Sequence, residues 1–416
     1  MYVASSRPSK TDFRKRLPGT VFALGTVSLL TDVSAEMITA FLPVYLLFTL
    51  NLGYAQFGLL DGIYTGATAV LRLVGGGVSD KFRKPKAVAA AGYGLSAATK
   101  IFFPLVGASP FGIGALMAAD RAGKGIRTAP RDAMISLATP EDRLGAAFGV
   151  HRSMDTVGAL LGPLITFVLL VQIGTVPGPI FAVSAAFAII GLIVLVGFVR
   201  EPKTGEKPKG PRPSFRAGLN LLTDKHFRRT TLSAGMLGLA TVSDAFVYVL
   251  VQKATNISPG YLPLLPLGTA IVFLAAAAPL GKLSDKVGRW RMFLTGHGLL
   301  LGVYALLFIP EGGMGVAIAA LLLHGLFYAA TDGVLSAKVS ETAPESLRAS
   351  GLSVVQTGQA LGRLVSSVAF GLLLQFSSFG TSVTVALAAL TVTLIIAAHL
   401  GGSERQRLSL SREKRS

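Results

Sequence analysis

The sequence predicts an all-α integral membrane protein of twelve spanning helices, in two pseudo-symmetric six-helix bundles with both termini in the cytosol. Three observations carry that expectation. The 416 residues are 51% hydrophobic and only 14% charged, where a soluble domain would carry about 25% charged residues. Apolar residues come in blocks of about 20, the length that crosses a hydrocarbon layer roughly 30 Å thick as a helix. Basic residues collect in alternate loops, and part of the chain repeats itself.

Taken in order, the spans are expected near 18–47, 56–78, 86–106, 111–136, 146–172, 177–199, 231–253, 261–281, 292–309, 314–336, 350–376 and 380–400. Residues 1–17 form a polar, basic N-tail that leads into a full span without a small-residue cleavage site, so it reads as cytosolic rather than as a signal peptide. The first bundle covers 18–199 and the second 231–400, joined by a cytosolic linker at 200–230 rich in Pro, Lys and Arg. Residues 401–416 form a basic C-tail. Lys and Arg cluster in the two tails, in the linker, in DKFRKPK and in GKLSDKVGRWR, while the opposite loops NLGYAQ, GASPFG, QIGTVPGP and SSFGTS hold none. That bias puts the basic loops and both termini inside. The net charge of +18 is therefore read as topology and not as a nucleic-acid surface. The absence of cysteine excludes disulfides and thiolate metal sites.

GGGVSDKFRKPK in the first half matches GKLSDKVGRWR in the second, Gly76 answering Gly281 and Asp80 answering Asp285. A duplicated six-span unit marks a transporter whose site lies between repeats. The second copy resembles the loop motif G-x-L-x-D-(R/K)-x-G-(R/K)-(R/K) of the major facilitator superfamily through Gly281, Leu283, Asp285, Lys286, Gly288 and Arg289. The first copy keeps Gly76, Asp80, Lys81 and Lys84, with Arg83 in place of the second glycine. The resemblance implies the MFS fold, alternating access and a gate role for these motif residues, together with Arg131 and Asp132 at the cytosolic end of the fourth span. The motif glycine is expected to let two helices approach closely.

The stretch TDVSAEM sets Asp32 and Glu36 in the middle of the first span. Each would cost roughly 2.5–3.5 kcal/mol if it stayed ionised and faced lipid. Spaced i, i+4, they share one face, where burial and mutual repulsion both favour a bound proton. Three readings stay open on the residues alone: proton coupling, ion pairs that fix packing, or direct cation binding. The fourth span holds Asp120, Arg121, Lys124, Arg127, Arg131 and Asp132. Arg121 with Lys124 and Gly125 resembles the superfamily's fourth-helix motif, which implies a part for Arg121 in proton movement. Gly158, Gly162 and Pro163 resemble the G-x-x-x-G-P-x-x-G motif of its exporters, with Thr166 at the final glycine, and tilt the expected direction toward export. Asp155 joins Asp32, Glu36 and Arg121 as a proton-coupling candidate. In the second half, Asp244 and Tyr248 stand where Asp32 and Glu36 would under the repeat, and His324 and Arg363 complete the charged set. Substrate contacts are expected from Asp32, Glu36, Lys124, Arg127, Asp244, Tyr248, His324 and Arg363, with Phe246 and Phe327 as an apolar wall. Asp61, Arg72 and Lys100 are expected to be partnered inside the first bundle.

The leading expectation is a secondary active transporter of the cytoplasmic membrane: a proton-coupled exporter, an antiporter of a small amphiphilic molecule, acting as a monomer in the bilayer. One alternative is a proton-coupled importer, a symporter holding an organic anion on Arg121, Lys124 and Arg127. Another is a carrier of Fe or Mn using Asp32, Glu36, Asp244 and His324, although hard carboxylates with so few histidines make a weak dedicated site. No resident metal or cofactor is expected. No nucleophile elbow, HExxH or phosphate-cradling loop supports an enzyme.

Overall fold

The computed structural model describes residues 17–66, 85–140, 143–200, 215–309, 312–344 and 347–413, and only the backbone at 215–217, 349 and 401–413. All regular structure among the described residues is helical. The helices are α1 (Gly19–Pro43), α2 (54–66), α3 (Pro85–Phe102), α4 (Pro110–Ala138), α5 (Leu144–Ile173), α6 (Pro177–Phe198), α7 (Phe215–Asn220), α8 (Lys225–Ala240), α9 (Asp244–Thr255), α10 (Leu264–Val287), α11 (Arg289–Leu306), α12 (Gly313–Thr342), α13 (Arg348–Phe376) and α14 (Phe379–Glu413). Nine helical stretches among the described residues are long and apolar enough to cross a membrane. Helix α4 is outside that set because of the charges it carries.

The chain divides into two compact units, Met1–Tyr45 with Val70–Gly210, and Leu46–Ala69 with Pro211–Ser416. The bundle bounds 18–199 and 231–400 remain an expectation, while α2 groups with the second unit. The physical reason is close packing of α2 on α13. A Cβ on Gly58 would lie 2.5 Å from the Ser367 carbonyl, and one on Gly371 would lie 2.5 Å from the Tyr54 carbonyl, so glycine is needed on both sides of the crossing.

In the first unit α1 is the central rod and packs on α4, α5 and α6. Helices in lipid gain nothing from leaving water, so close approach and hydrogen bonds hold them together. Gly162 of α5 supplies the approach: a Cβ there would fall 2.8 Å from the Val33 carbonyl and from Glu36 Cβ. Gly158, one turn earlier, meets the backbone of Leu29. Thr166, one turn later and in the motif's last glycine position, donates its hydroxyl to the Met37 carbonyl at 3.1 Å. On the α6 side the hydroxyls of Ser34 and Ser184 pair at 3.0 Å, and Ser184 reaches the Ser34 carbonyl at 2.8 Å. Buried Val21, Leu24, Val27, Tyr93, Met134 and Leu195 fill one end of the unit.

In the second unit the expected continuous span 231–253 is two helices, α8 and α9, separated at Thr241–Ser243 by extended backbone. The freed backbone groups find partners, as a break inside a bilayer demands. Val242 donates its N–H to the Tyr304 hydroxyl at 2.9 Å, and the Ser366 hydroxyl donates to the Thr241 carbonyl at 2.8 Å. Ser243 caps α9 through Phe246 N–H at 3.5 Å. Two tail boundaries also move. Asp224 caps α8 by accepting from His226 and Phe227 N–H at 3.0 and 2.8 Å, so the helix starts inside the expected linker. Helix α14 runs through the expected C-tail to Glu413, in keeping with the helix-forming Glu, Arg, Gln and Leu there.

Candidate functional site

Among the described residues, each unit holds polar side chains in its apolar interior. In the first, the close α1–α5 crossing sets the positions. Gly158 and Gly162 bring α5 against α1, and Asp155 lies one turn before Gly158, level with Ser28 and Asp32. The Ser28 hydroxyl donates to Asp155 Oδ1 at 2.7 Å. Asp32 stands one turn along α1 from Ser28, so its carboxyl and that of Asp155 belong to one cluster.

Helix α4 surrounds that pair with cations. Lys124 Nζ and Arg127 Nη2 stand 3.9 and 3.8 Å from Asp32 Oδ1. The Arg127 guanidinium lies over the Tyr93 ring of α3, 4.4 Å from its centre, which fixes its plane. Arg131 donates to the Ser28 hydroxyl at 3.2 Å, reaches Asp155 at 3.9 Å and pairs with Asp132 at 2.9 Å. Arg152 adds a second cation to Asp155 at 3.6 Å. The expected gate residues Arg131 and Asp132 are thus tied to this carboxyl pair. Asp32 and Arg127 are both buried. Glu36 is half-buried, and its carboxylate has no partner among the described residues. Arg121 lies elsewhere: it contacts Asp120 at 2.5 Å, and Asp120 also accepts from Lys100 at 2.6 Å and from Ser96. Lys100 is therefore partnered in the first unit, as expected.

In the second unit α9, α12 and α13 converge. Asp244, first residue of α9, accepts from the Tyr328 hydroxyl at 2.5 Å and faces His324 Nε2 at 3.6 Å. Arg363 donates to the same Tyr328 oxygen at 3.3 Å. His324 is held on its other nitrogen by Thr269 at 3.3 Å and sits edge-on to the Tyr248 ring. The Asp244 side chain keeps 44% of its surface accessible while His324 keeps 1%, so the carboxylate is the presented group. Tyr248 is buried. Phe246 and Phe327, expected as a wall, are core residues instead: Phe246 packs against Phe57 and Phe370, and Phe327 against His297 and His324. Asp61, expected to pair in the first bundle, accepts from Ser367 of α13 at 2.6 Å because α2 belongs to the second unit.

Of the loop motifs, Gly76, Asp80, Lys81 and Lys84, and with them Arg72, lie outside the described residues. In the second copy Gly288 has φ +99°, a turn that favours glycine, between α10 and α11. Arg289 pairs with Asp285 at 3.0 Å and with Glu341 of α12 at 2.8 Å. Lys286 is exposed. Among the described residues, nothing lies within 4 Å of a Cβ built on Gly281. Sequence reasoning missed Tyr93, Tyr328 and Glu341. Tyr328 has a legible sign, standing one helical turn after His324 on the same face.

A family description, the Major Facilitator Superfamily, matches residues 24–367 and again 232–415. The chain is 32% identical over 370 residues to an uncharacterised MFS-type transporter of Methanocaldococcus jannaschii, covering 87% of this chain and 90% of that one. A multidrug resistance protein of Dickeya zeae, MdtG, is 27% identical over 213 residues, half of each chain. Among solved structures, the nucleoside transporter NupG superposes with TM-score 0.78 at 13% identity, over 92% of this chain and 99% of that one, which is a likeness of fold. The all-helical architecture, the charged groups inside the spans and these matches agree: the chain belongs to the Major Facilitator Superfamily and is a membrane transporter, not an enzyme.

Proposed function

We propose that the protein exports a small amphiphilic organic molecule in exchange for protons, with the Asp32–Asp155 carboxyl pair as the proton carrier. What supports this reading is the cluster that gathers both carboxyls: Ser28 bonds Asp155, Arg131 reaches Ser28 and Asp155, and Lys124 and Arg127 stand against Asp32. Lys124, Arg127 and Arg131 stand against these carboxyls and make an ionised form tolerable. Glu36, half-buried and without a partner among the described residues, is the group left to meet substrate. One proton moving down about 100 mV supplies roughly 2.3 kcal/mol, and a pH unit about 1.4 kcal/mol more. Together these sustain a gradient of several hundredfold.

Export is favoured by the similarity to MdtG and by the Gly158–Gly162–Pro163 sequence. The importer reading needs Arg121, Lys124 and Arg127 open to an anion. Arg121 contacts Asp120, Arg127 is stacked on Tyr93, and Arg127 and Lys124 both stand against Asp32, which weighs against it. A thermal-shift screen of purified protein against antibiotics, siderophores, lipids and metabolites identifies a ligand by its rise in Tm. That ligand is then added to inverted vesicles with an acid interior and a pH-sensitive dye. Wild type is expected to leak protons on its addition, and Asp32→Asn and Asp155→Asn are expected to be silent. Full proton movement in both variants refutes the assignment.

A further inference from the structure

The polar group of the second unit has no part in the proton step above. Asp244 opens α9 directly after the break that follows α8. Two protein groups approach its carboxylate, the Tyr328 hydroxyl at 2.5 Å and His324 Nε2 at 3.6 Å, and both fall on Oδ1. Oδ2 has no partner among the described residues, and the side chain is the accessible member of the group. Tyr328 joins this acceptor to a cation. Its hydroxyl donates to Asp244 and accepts from Arg363 Nη1 at 3.3 Å. The guanidinium stands 5.8 Å from the centre of the same ring. Among the described residues Arg363 forms no ion pair, and its Nε and Nη2 bond to no protein group. The residue is half-buried. One hydroxyl therefore separates two opposite charges, and each keeps hydrogen-bonding capacity that the protein does not use.

The signs of those charges select a ligand. A simple cation is repelled by Arg363 and a simple anion by Asp244. A neutral molecule that covers the site strips water from both charges and replaces neither counterion. Among the described residues a metal ion finds two ligand side chains here, Asp244 and His324, with a guanidinium beside them, whereas a hard cation takes six or more oxygens. A molecule with both an ammonium and a carboxylate answers each charge. Its N–H donors suit Oδ2, and its paired oxygens suit the planar guanidinium fork. We propose that Asp244 and Arg363, held apart by Tyr328, bind the zwitterionic head of the cargo, an α-amino acid-like group with its amine on Asp244 and its carboxylate on Arg363. The short separation of the two protein charges matches a head whose amine and acid share one carbon. The inference rests on the reading of the chain as a carrier of small organic molecules and adds the polar chemistry of that cargo.

The test measures binding to the purified full-length protein through the ligand-dependent rise in Tm. Phenylalanine, leucine and tryptophan are each compared with the amide, which keeps only the positive charge, and with the deaminated acid, which keeps only the negative one. Wild type is expected to bind at least one of the three amino acids, with its amide and its deaminated acid each about tenfold weaker or more, the contribution of one charge-assisted pair. Arg363→Gln is expected to lose the preference over the amide, and Asp244→Asn the preference over the acid. Arg363→Lys, which keeps the charge, is expected to regain part of what Arg363→Gln loses, and the unliganded Tm of each variant reports that it folds. A wild-type protein that binds none of the three amino acids, or that binds amide or acid as tightly, overturns the proposal. Preferences left unchanged in both single variants overturn it too. Zwitterion binding with a silent vesicle assay sinks only the exporter assignment, whereas proton exchange driven by a ligand without that head sinks only this one.

Discussion

Lys100 and Asp120 show what an ionic group inside this protein requires. They meet at 2.6 Å with side chains almost wholly enclosed, and Ser96 and Arg121 complete the set. Asp120 faces two cations, so removing it leaves both without that carboxylate, whereas removing Lys100 leaves Asp120 its contact with Arg121. Asp120→Leu is expected to destabilise by about 3–5 kcal/mol and Lys100→Met by less. Detergent-solubilised thermal melting decides it; equal melting of the two variants would refute the shared carboxylate. At this scale the sequence is informative about which residues are special and silent about their partners. Asp32 announces itself by interrupting an apolar run. That Asp155 meets it from α5, and that Tyr93 lies under Arg127, depends on helix rotations no short window records. Arg121 departs from its expected place for that reason: its neighbour in the chain, Asp120, holds it.

Among the elements, α1 with α5 and the α8–α9 pair carry the most testable structure. Thr166 occupies a position where the superfamily's exporters carry glycine, and here it hydrogen-bonds the Met37 carbonyl. Thr166→Val keeps the shape and removes that bond, so a loss of about 0.5–1 kcal/mol is expected. Gly162→Leu is expected to be far worse, because its side chain would enter the α1 backbone at Val33 and Glu36; a normally folded Gly162→Leu protein would contradict the crossing. At the break, Tyr304→Phe leaves the buried Val242 N–H unmet and is expected to cost about 1–3 kcal/mol, read as a drop in Tm. The break itself is hidden in the sequence. ATVSDAF has neither Pro nor Gly, and the partners that permit it, Tyr304 and Ser366, lie on α11 and α13. The grouping of α2 is hidden for a related reason, since its bond to α13 joins residues 306 positions apart.

For the molecule as a whole, the nine apolar stretches among the described residues are legible because bilayer thickness acts on local sequence, and the sidedness of Lys and Arg stands as an expectation. The grouping of helices into units is not legible. The orientation those charges imply has a direct check. The chain has no cysteine, so single cysteines report without background. Ser109→Cys, at the cap of α4, is expected to react with an impermeant maleimide on intact cells, and Ser411→Cys, near the C-terminus, only after permeabilisation. The reverse pattern would invert the topology and place the basic loops outside.

The jointed seventh span has a mechanical corollary. At 1.5 Å per residue its two rods measure about 24 and 18 Å, each shorter than a hydrocarbon slab of roughly 30 Å. Neither rod can cross alone, so lipid thickness is matched only by setting the angle at the knuckle between them. Tail length in the surrounding lipids therefore bears on the very point where Asp244 is mounted, and the protein's pace is expected to vary with acyl chain length.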